Sequence, residues 1–491
     1  ILYHTPAGID YTLPAFLDSA GNSRIYSIWD QSVNPCAGGN NCGNLEYGRI
    51  PEGFMYGVEY TNEEINEAIT SSNPWEIVPS RDLDGHGTFV AGVACGTYIE
   101  EKGFSGAAPL ATICVVKCKE AKNTLKQYYQ IDTDEPVYSE TDIMTAVAYL
   151  GTKALELGMP FILCLSMGTS NGSHTNGGVL GNMLREIGDY RGVGIVTPCG
   201  NEANTSRHYR SEILAPGGET EVEIRVGSQN GFTLDLWSDA PQLVSVGIMS
   251  PSGEYSGRTV PRIGSKETVD FILEPTVVYI EYNLLAYESG DEYIQMRFQA
   301  PSEGIWKIRV FNETNGSAFF DMWLPIRNFL PQTTYFLRAD PDITLCDPSN
   351  NPGIISTAYY NSSNDSISID SSRGFTRNDN IKPDFAAPGV GVYGPLPRRG
   401  NVYPSTEEER NLTAMYDYKS GSSIAAAITA GAAALIMEWG NVRGNAPGMD
   451  TVTIQKYLIR GADSNGVTEP NRLWGNGRLN VFDVFERLRR N

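Results

Sequence analysis

Basic residues are in short supply in this chain. Lys and Arg number 37 against 58 Asp and Glu, for a net charge of −21. Nucleic acid and anionic membranes are drawn to basic surfaces, so both are excluded as expected partners. Histidine is rarer still, with four residues, and neither these nor the eight cysteines fall at the spacings of a zinc site. No metal and no cofactor is therefore expected. No apolar run approaches the length needed to span a bilayer, and the basic, apolar and small-residue pattern of a signal peptide is missing. Ile1 opens directly into an apolar strand, as expected if the natural start has been processed or cut away.

What remains is the balance of a globular chain, 41% hydrophobic and 19% charged over 491 residues. That is too long for one ordinary core and implies two or three domain-sized units. Most cysteines, among them Cys95, Cys114, Cys164 and Cys199, lie in apolar segments and read as small buried hydrophobes. Cys36 and Cys42 differ: they flank a Gly/Asn loop that could close as a disulfide.

Up to about residue 206, buried strands alternate with helical stretches. ATICVVK (111–117), FILCLS (161–166) and GVGIVTP (192–198) are continuous apolar strands, and 142–157 has the period of an amphipathic helix. This pattern predicts a parallel sheet covered on both faces. From about 207 to 333 the pattern changes to strand after strand with alternating polarity, as in TEVEIRV, TVVYIEYNL and IWKIRVFN. It predicts an antiparallel β sandwich or jelly roll. Beyond 334 the mixed pattern returns. The expected organisation is thus an α/β domain in two parts, 1–206 and 334–491, with a β domain inserted between them.

Three motifs carry chemistry. DGHGTFVAG places His86 between glycines at the start of a small, apolar helix, where an imidazole can shuttle a proton at close quarters. SGSSIAAAITAGAAAL places Ser423 at the start of a helix almost free of bulky residues. The unpaired N–H groups and dipole of such a terminus favour negative charge on a bound carbonyl. PCGNE places the Asn201 amide at the end of a buried strand, where ligands bind in open α/β sheets. Each has a plain structural alternative: a helix-start histidine, an N-cap serine and a Gly-Asn turn. Their occurrence together, in this order, outweighs those alternatives.

These boxes closely resemble the histidine, asparagine and serine boxes of the subtilisin family. SGAAP (105–109), LSMG (165–168) and SSRGFTRNDNIKPDFAAPG (371–389) resemble further family segments. A narrower resemblance, through IDYTLPAF, IYSIWDQ, TDIMTAVAYL and GTSNGSH, is to the clostridial Csp-like subtilases, which carry a jelly-roll insertion at this point. The resemblance implies a subtilisin-like α/β fold and a serine endopeptidase acting on protein or peptide substrates. His86 would be general base and acid, Ser423 the nucleophile, Asn201 the oxyanion donor, and Leu165, Ser166, Met167 and Gly168 the wall along which substrate lies. It further implies a propeptide as a partner and a bacterial protein, secreted or spore-associated. One departure stands out: the triad aspartate's place in HTPAGID is held by Pro6. Asp10 matches a different acidic residue of that box, and Asp30 lies in a segment without a catalytic role. The rival expectation is accordingly a pseudoprotease that binds or regulates.

Overall fold

The computed structural model describes residues 2–5, 8–35, 46–287, 289–399, 403–404, 406–464, 466 and 468–490, without the side chains of residues 2–5, 407 and 490. Pro6, Cys36 and Cys42 lie outside the described residues.

The apolar runs pair as a nine-stranded sheet. Six of its strands, β1 (Leu2–Thr5), β2 (Ile25–Asp30), β3 (Val58–Thr61), β4 (Ile113–Lys117), β5 (Phe161–Leu165) and β6 (Val193–Pro198), run in the order β6-β5-β1-β4-β2-β3, with β3 an antiparallel edge. Beyond β6 comes Ile355–Asn361, which pairs in parallel with both β6 and Phe385–Pro388. The β4 sequence explains its central place. Ile113 and Val115 enter the core on one face, Cys114 and Val116 that on the other. Helices Glu140–Leu157 and Gly178–Gly188 cover the second face; His86–Cys95, Ser422–Met437 and Thr451–Gly461 cover the first.

Small residues set the spacing between the helices. A Cβ on Gly431 would stand 2.4 Å from Ala107 Cβ and 2.7 Å from Ala94 O, so nothing larger fits without displacing backbone. The Ala/Gly composition of the serine helix is a packing requirement. It also corrects the expectation about membrane-length segments. Ser422–Val442 is long and apolar enough by composition to cross a bilayer, yet 67% of its apolar window is buried inside the protein. Its hydropathy comes from many small side chains enclosed by neighbours.

Residues 208–336 form two antiparallel sheets. One runs Tyr255–Arg258, Val244–Met249, Gly304–Asn312, Glu219–Val226, Tyr335–Phe336; the other Lys266–Asp270, Val277–Asn283, Glu292–Gln299, Gly231–Ser238, Phe320–Trp323, His208–Arg210. Their inner faces share one core around Trp306, Phe298 and Phe232. The alternating sequence of Glu219–Val226 does what it predicts, turning Val222, Ile224 and Val226 inward and the glutamates outward. Gly231–Ser238 departs from the pattern, since it is buried along its whole length. Its outer face meets the α/β part: Asn171 Nδ2 donates to Asp235 Oδ2 at 2.8 Å.

The same junction is strongly polar. Arg377, from the segment before Phe385, bonds Ser173 O at 2.9 Å and pairs with Asp239 at 3.0 Å and with Asp291. Trp323 is stacked between His174, 3.9 Å away, and His208. These contacts hold the two antiparallel sheets against the loop that follows β5.

Candidate active site

His86 opens the helix His86–Cys95, and the turn before it is built by glycine and a buried acid. Gly85 sits at φ 83°, a conformation favouring glycine. Asp82 accepts from Gly85 N (2.8 Å), Thr88 N (2.7 Å) and Thr88 Oγ1 (2.6 Å), satisfying donors the first turn leaves open. Burial pushes the Asp82 carboxyl up to about 6 against those hydrogen bonds. Thr88 Oγ1 in turn accepts from Asp10 N at 2.9 Å, tying the histidine box to the GID turn. Asp10 itself accepts from Thr12 N, Thr12 Oγ1 and Arg398 N. It is an organiser of loops, and its carboxylate is fully engaged in that work.

The electrostatics at His86 come from three sources. Burial lowers its pKa most strongly, nearby Asp84 raises it, and Lys419 lowers it again. Asp84 Oδ1 accepts from the His86 backbone N–H at 2.5 Å. Among the described residues no carboxylate bonds the His86 ring. Lys419 Nζ donates to Gly85 O at 3.3 Å. That contact links the histidine turn to the strand Met415–Lys419, which ends just before the serine helix.

Ser423 lies in the first turn of Ser422–Met437. Its Oγ donates to Ser166 O at 3.3 Å, so the serine rests against the LSMG segment. On its other side Asn201 Oδ1 accepts from Ser422 N at 3.0 Å. This bond turns the Asn201 amide NH2 away from Ser422, and among the described residues that NH2 has no protein acceptor. The structure thus brings Asn201, Ser166 and Ser423 to one place and connects His86 to it through Lys419.

Of the wall residues, Leu165 ends β5 and is buried, Ser166 is buried, and Met167 and Gly168 are half-buried. Thr169 then pairs with Asp347 through reciprocal backbone bonds of 3.0 and 2.8 Å. Cys346, which the motifs did not single out, lies between two glycines of the site. An added Cβ would come within 2.8 Å of its Cβ at Gly168 and 2.5 Å of its Sγ at Gly200. Among the described residues six cysteines, Cys346 included, are buried and outside any disulfide. Lys419 and Arg327, the latter bonded to the Asn201 turn, were also missed. Neither lies in a recognisable box, and only the folded chain brings them near.

A parallel sheet ending in an Asn turn, with a buried serine helix and a Gly-bracketed histidine helix packed on it, has the architecture of subtilisin-like serine proteases. The chain belongs to the subtilase family, whose model matches residues 8–477. Over nearly its whole length it is similar to the CspB protease of Clostridium perfringens. The TM-score is 0.83 and the identity 29%, covering 99% of this chain and 92% of that one. It is also 32% identical over 113 residues to the subtilisin-like protease SBT3.6 of Arabidopsis thaliana, a match spanning 21% of this chain and only 13% of the plant protein.

Proposed function

We propose that the chain is a serine endopeptidase that hydrolyses peptide bonds through an acyl-enzyme on Ser423. The observation that carries this reading is the Asn201–Ser422 hydrogen bond, 3.0 Å long. It leaves a carboxamide donor beside the N-terminus of the serine helix. A carbonyl attacked by Ser423 Oγ would place its developing charge between the Asn201 amide and the Ser423 backbone N–H, the geometry of an oxyanion site. His86 takes the hydroxyl proton and returns it to the leaving amine. The lowering of its pKa keeps the ring neutral, as a base must be. Substrate lies extended along Leu165–Gly168 as an added strand, and on attack Ser423 Oγ exchanges Ser166 O for the substrate carbonyl.

The division into 1–206, 207–333 and 334–491, with the middle unit as a jelly roll that braces the rest and supplies no catalytic group, belongs to the same reading. So do a protein or peptide substrate, a propeptide partner and a bacterial, secreted or spore-associated setting; the likeness to the CspB protease supports these.

Pro6 favours a second reading, a pseudoprotease with little turnover. Proline cannot hold the imidazole tautomer or stabilise its protonated form. Loss of that carboxylate costs about 10⁴-fold in trypsin and about 3 × 10⁴-fold in subtilisin. The test is hydrolysis of a peptide reporter by the wild type, Ser423→Ala and Pro6→Asp. Weak hydrolysis abolished by Ser423→Ala and raised by orders of magnitude by Pro6→Asp is expected. Hydrolysis that survives Ser423→Ala would overturn the assignment.

A further inference from the structure

We infer that Arg327 is a positioning residue for the oxyanion donor, reaching back from a loop between two strands of the antiparallel sheets. The inference rests on the role proposed above for Asn201.

Arg327 lies in the loop between Phe320–Trp323 and Tyr335–Phe336, two strands of the antiparallel sheets. Its side chain and backbone converge on one turn of the α/β part. The guanidinium donates to the backbone carbonyl of Asn201 itself and to Asn204 Oδ1 at 3.2 Å. Its Nε lies 3.6 Å from Glu202 Oε1 and its Nη1 3.6 Å from Asp370 Oδ2. The Arg327 backbone N–H donates to Glu202 Oε2 at 3.0 Å. Glu202 is only 5% exposed; burial raises its pKa, and Arg327 is the first of the groups that oppose the rise. On the far side, Glu202 N donates to Ser372 Oγ at 2.9 Å.

The result is a two-point clamp on Asn201. Ser422 N fixes its side-chain oxygen, and Arg327 fixes its main-chain oxygen. With both oxygens held, the amide NH2 is left to donate to the oxygen of the carbonyl that Ser423 attacks. An oxyanion donor acts by being in place before charge develops, within about 0.5 Å and 10–20°. Nη2 serves Asn201 O and Asn204 Oδ1 while Nε and Nη1 face the Glu202 and Asp370 carboxylates, a spread of charge over a rigid plane that the point charge of an ammonium does not reproduce. The antiparallel sheets therefore influence the chemistry while placing no side chain on the substrate.

The test is the second-order rate of Ser423 phosphonylation by a fluorophosphonate, which needs the oxyanion site but only one turnover. Wild type, Asn201→Ala, Arg327→Ala, Arg327→Lys and the double alanine variant are compared, with thermal midpoints recorded alongside. Arg327→Ala should slow labelling by about tenfold or more, below the roughly 10²–10³ loss of a donor itself. Arg327→Lys should fall between. In the Asn201→Ala background the arginine change should add less than about twofold, because no donor remains to be positioned. If Arg327→Ala does not fold, Arg327→Lys in both backgrounds decides. Labelling at the wild-type rate in the arginine variants, or losses that multiply in the double variant, would overturn the inference. If Asn201→Ala labels normally, the oxyanion role fails, and the clamp with it. If Asn201→Ala is slow and the arginine variants are not, the clamp alone is wrong.

Discussion

Replacing Asn201 with alanine and, separately, with aspartate distinguishes its two hydrogen-bonding roles. Its Oδ1 accepts from Ser422 N at 3.0 Å, which organises the serine helix; its NH2 is the proposed donor. Alanine loses both. The missing acceptor leaves one helix N–H without its partner, worth about 1 kcal/mol of stability. The missing donor costs roughly 10²–10³ in rate, the range known for the subtilisin asparagine, or about 2.7–4 kcal/mol of barrier. Aspartate keeps an acceptor for Ser422 N and replaces the donor with a second oxygen. Asn201→Asp should therefore hold its thermal midpoint while losing at least as much rate as alanine. The measurements are kcat and KM on a peptide reporter, the phosphonylation rate where turnover is feeble, and thermal unfolding. An aspartate variant that keeps kcat within about threefold of wild type would refute the reasoning, as would changes confined to KM.

Two further outcomes concern protons. His86 must be neutral to act as a base, and its pKa is depressed by burial and Lys419 and lifted by Asp84. The acid limb of kcat/KM should fall below the ordinary histidine value of 6.5, moving up in Lys419→Met and down in Asp84→Asn; shifts in the opposite directions would contradict the electrostatic account. In the antiparallel sheets, burial raises Glu292 to about 8 while Val244 N donates to its Oε2 at 2.7 Å and its Oε1 has no hydrogen-bond partner among the described residues. A folded-state pKa above the unfolded 4.5 means that this group's stabilisation is full below pH 4.5 and lost as pH rises through 8. The ceiling is on the order of 5 kcal/mol. Glu292→Gln should flatten the melting temperature against pH over that window and be more stable than wild type at pH 9. An unchanged profile would show that Glu292 is ionised in the fold.

Much of the site was legible because its signals are local. Gly-bracketed His86, the Ala/Gly helix after Ser423 and the strand–turn at Asn201 each require particular residues at adjacent positions, and in the fold His86 opens a helix, Ser423 lies in the first turn of another and Asn201 follows β6. The strands at 111–117, 161–166 and 192–198 were readable since two-sided burial leaves a continuous apolar run. Asp235 could not be read this way. In an alternating strand it looks solvent-facing, yet it is buried against Asn171 with its pKa raised to about 6. Arg327 and Lys419 were equally hidden. Their partners Asn201 and Gly85 are 126 and 334 positions away in the chain, and no periodicity encodes such pairings. The sequence reading found no run of membrane length, yet Ser422–Val442 is long and apolar enough for one, since many small enclosed side chains add up to a high mean hydropathy.

The central claim is that Ser423 is a nucleophile activated at this site, and labelling with a fluorophosphonate followed by peptide mapping tests it most directly. A single adduct on Ser423 is expected, slowed in His86→Ala and absent in Ser423→Ala. Folded wild-type protein that takes up no label, or an adduct mapped to another residue, would contradict the account.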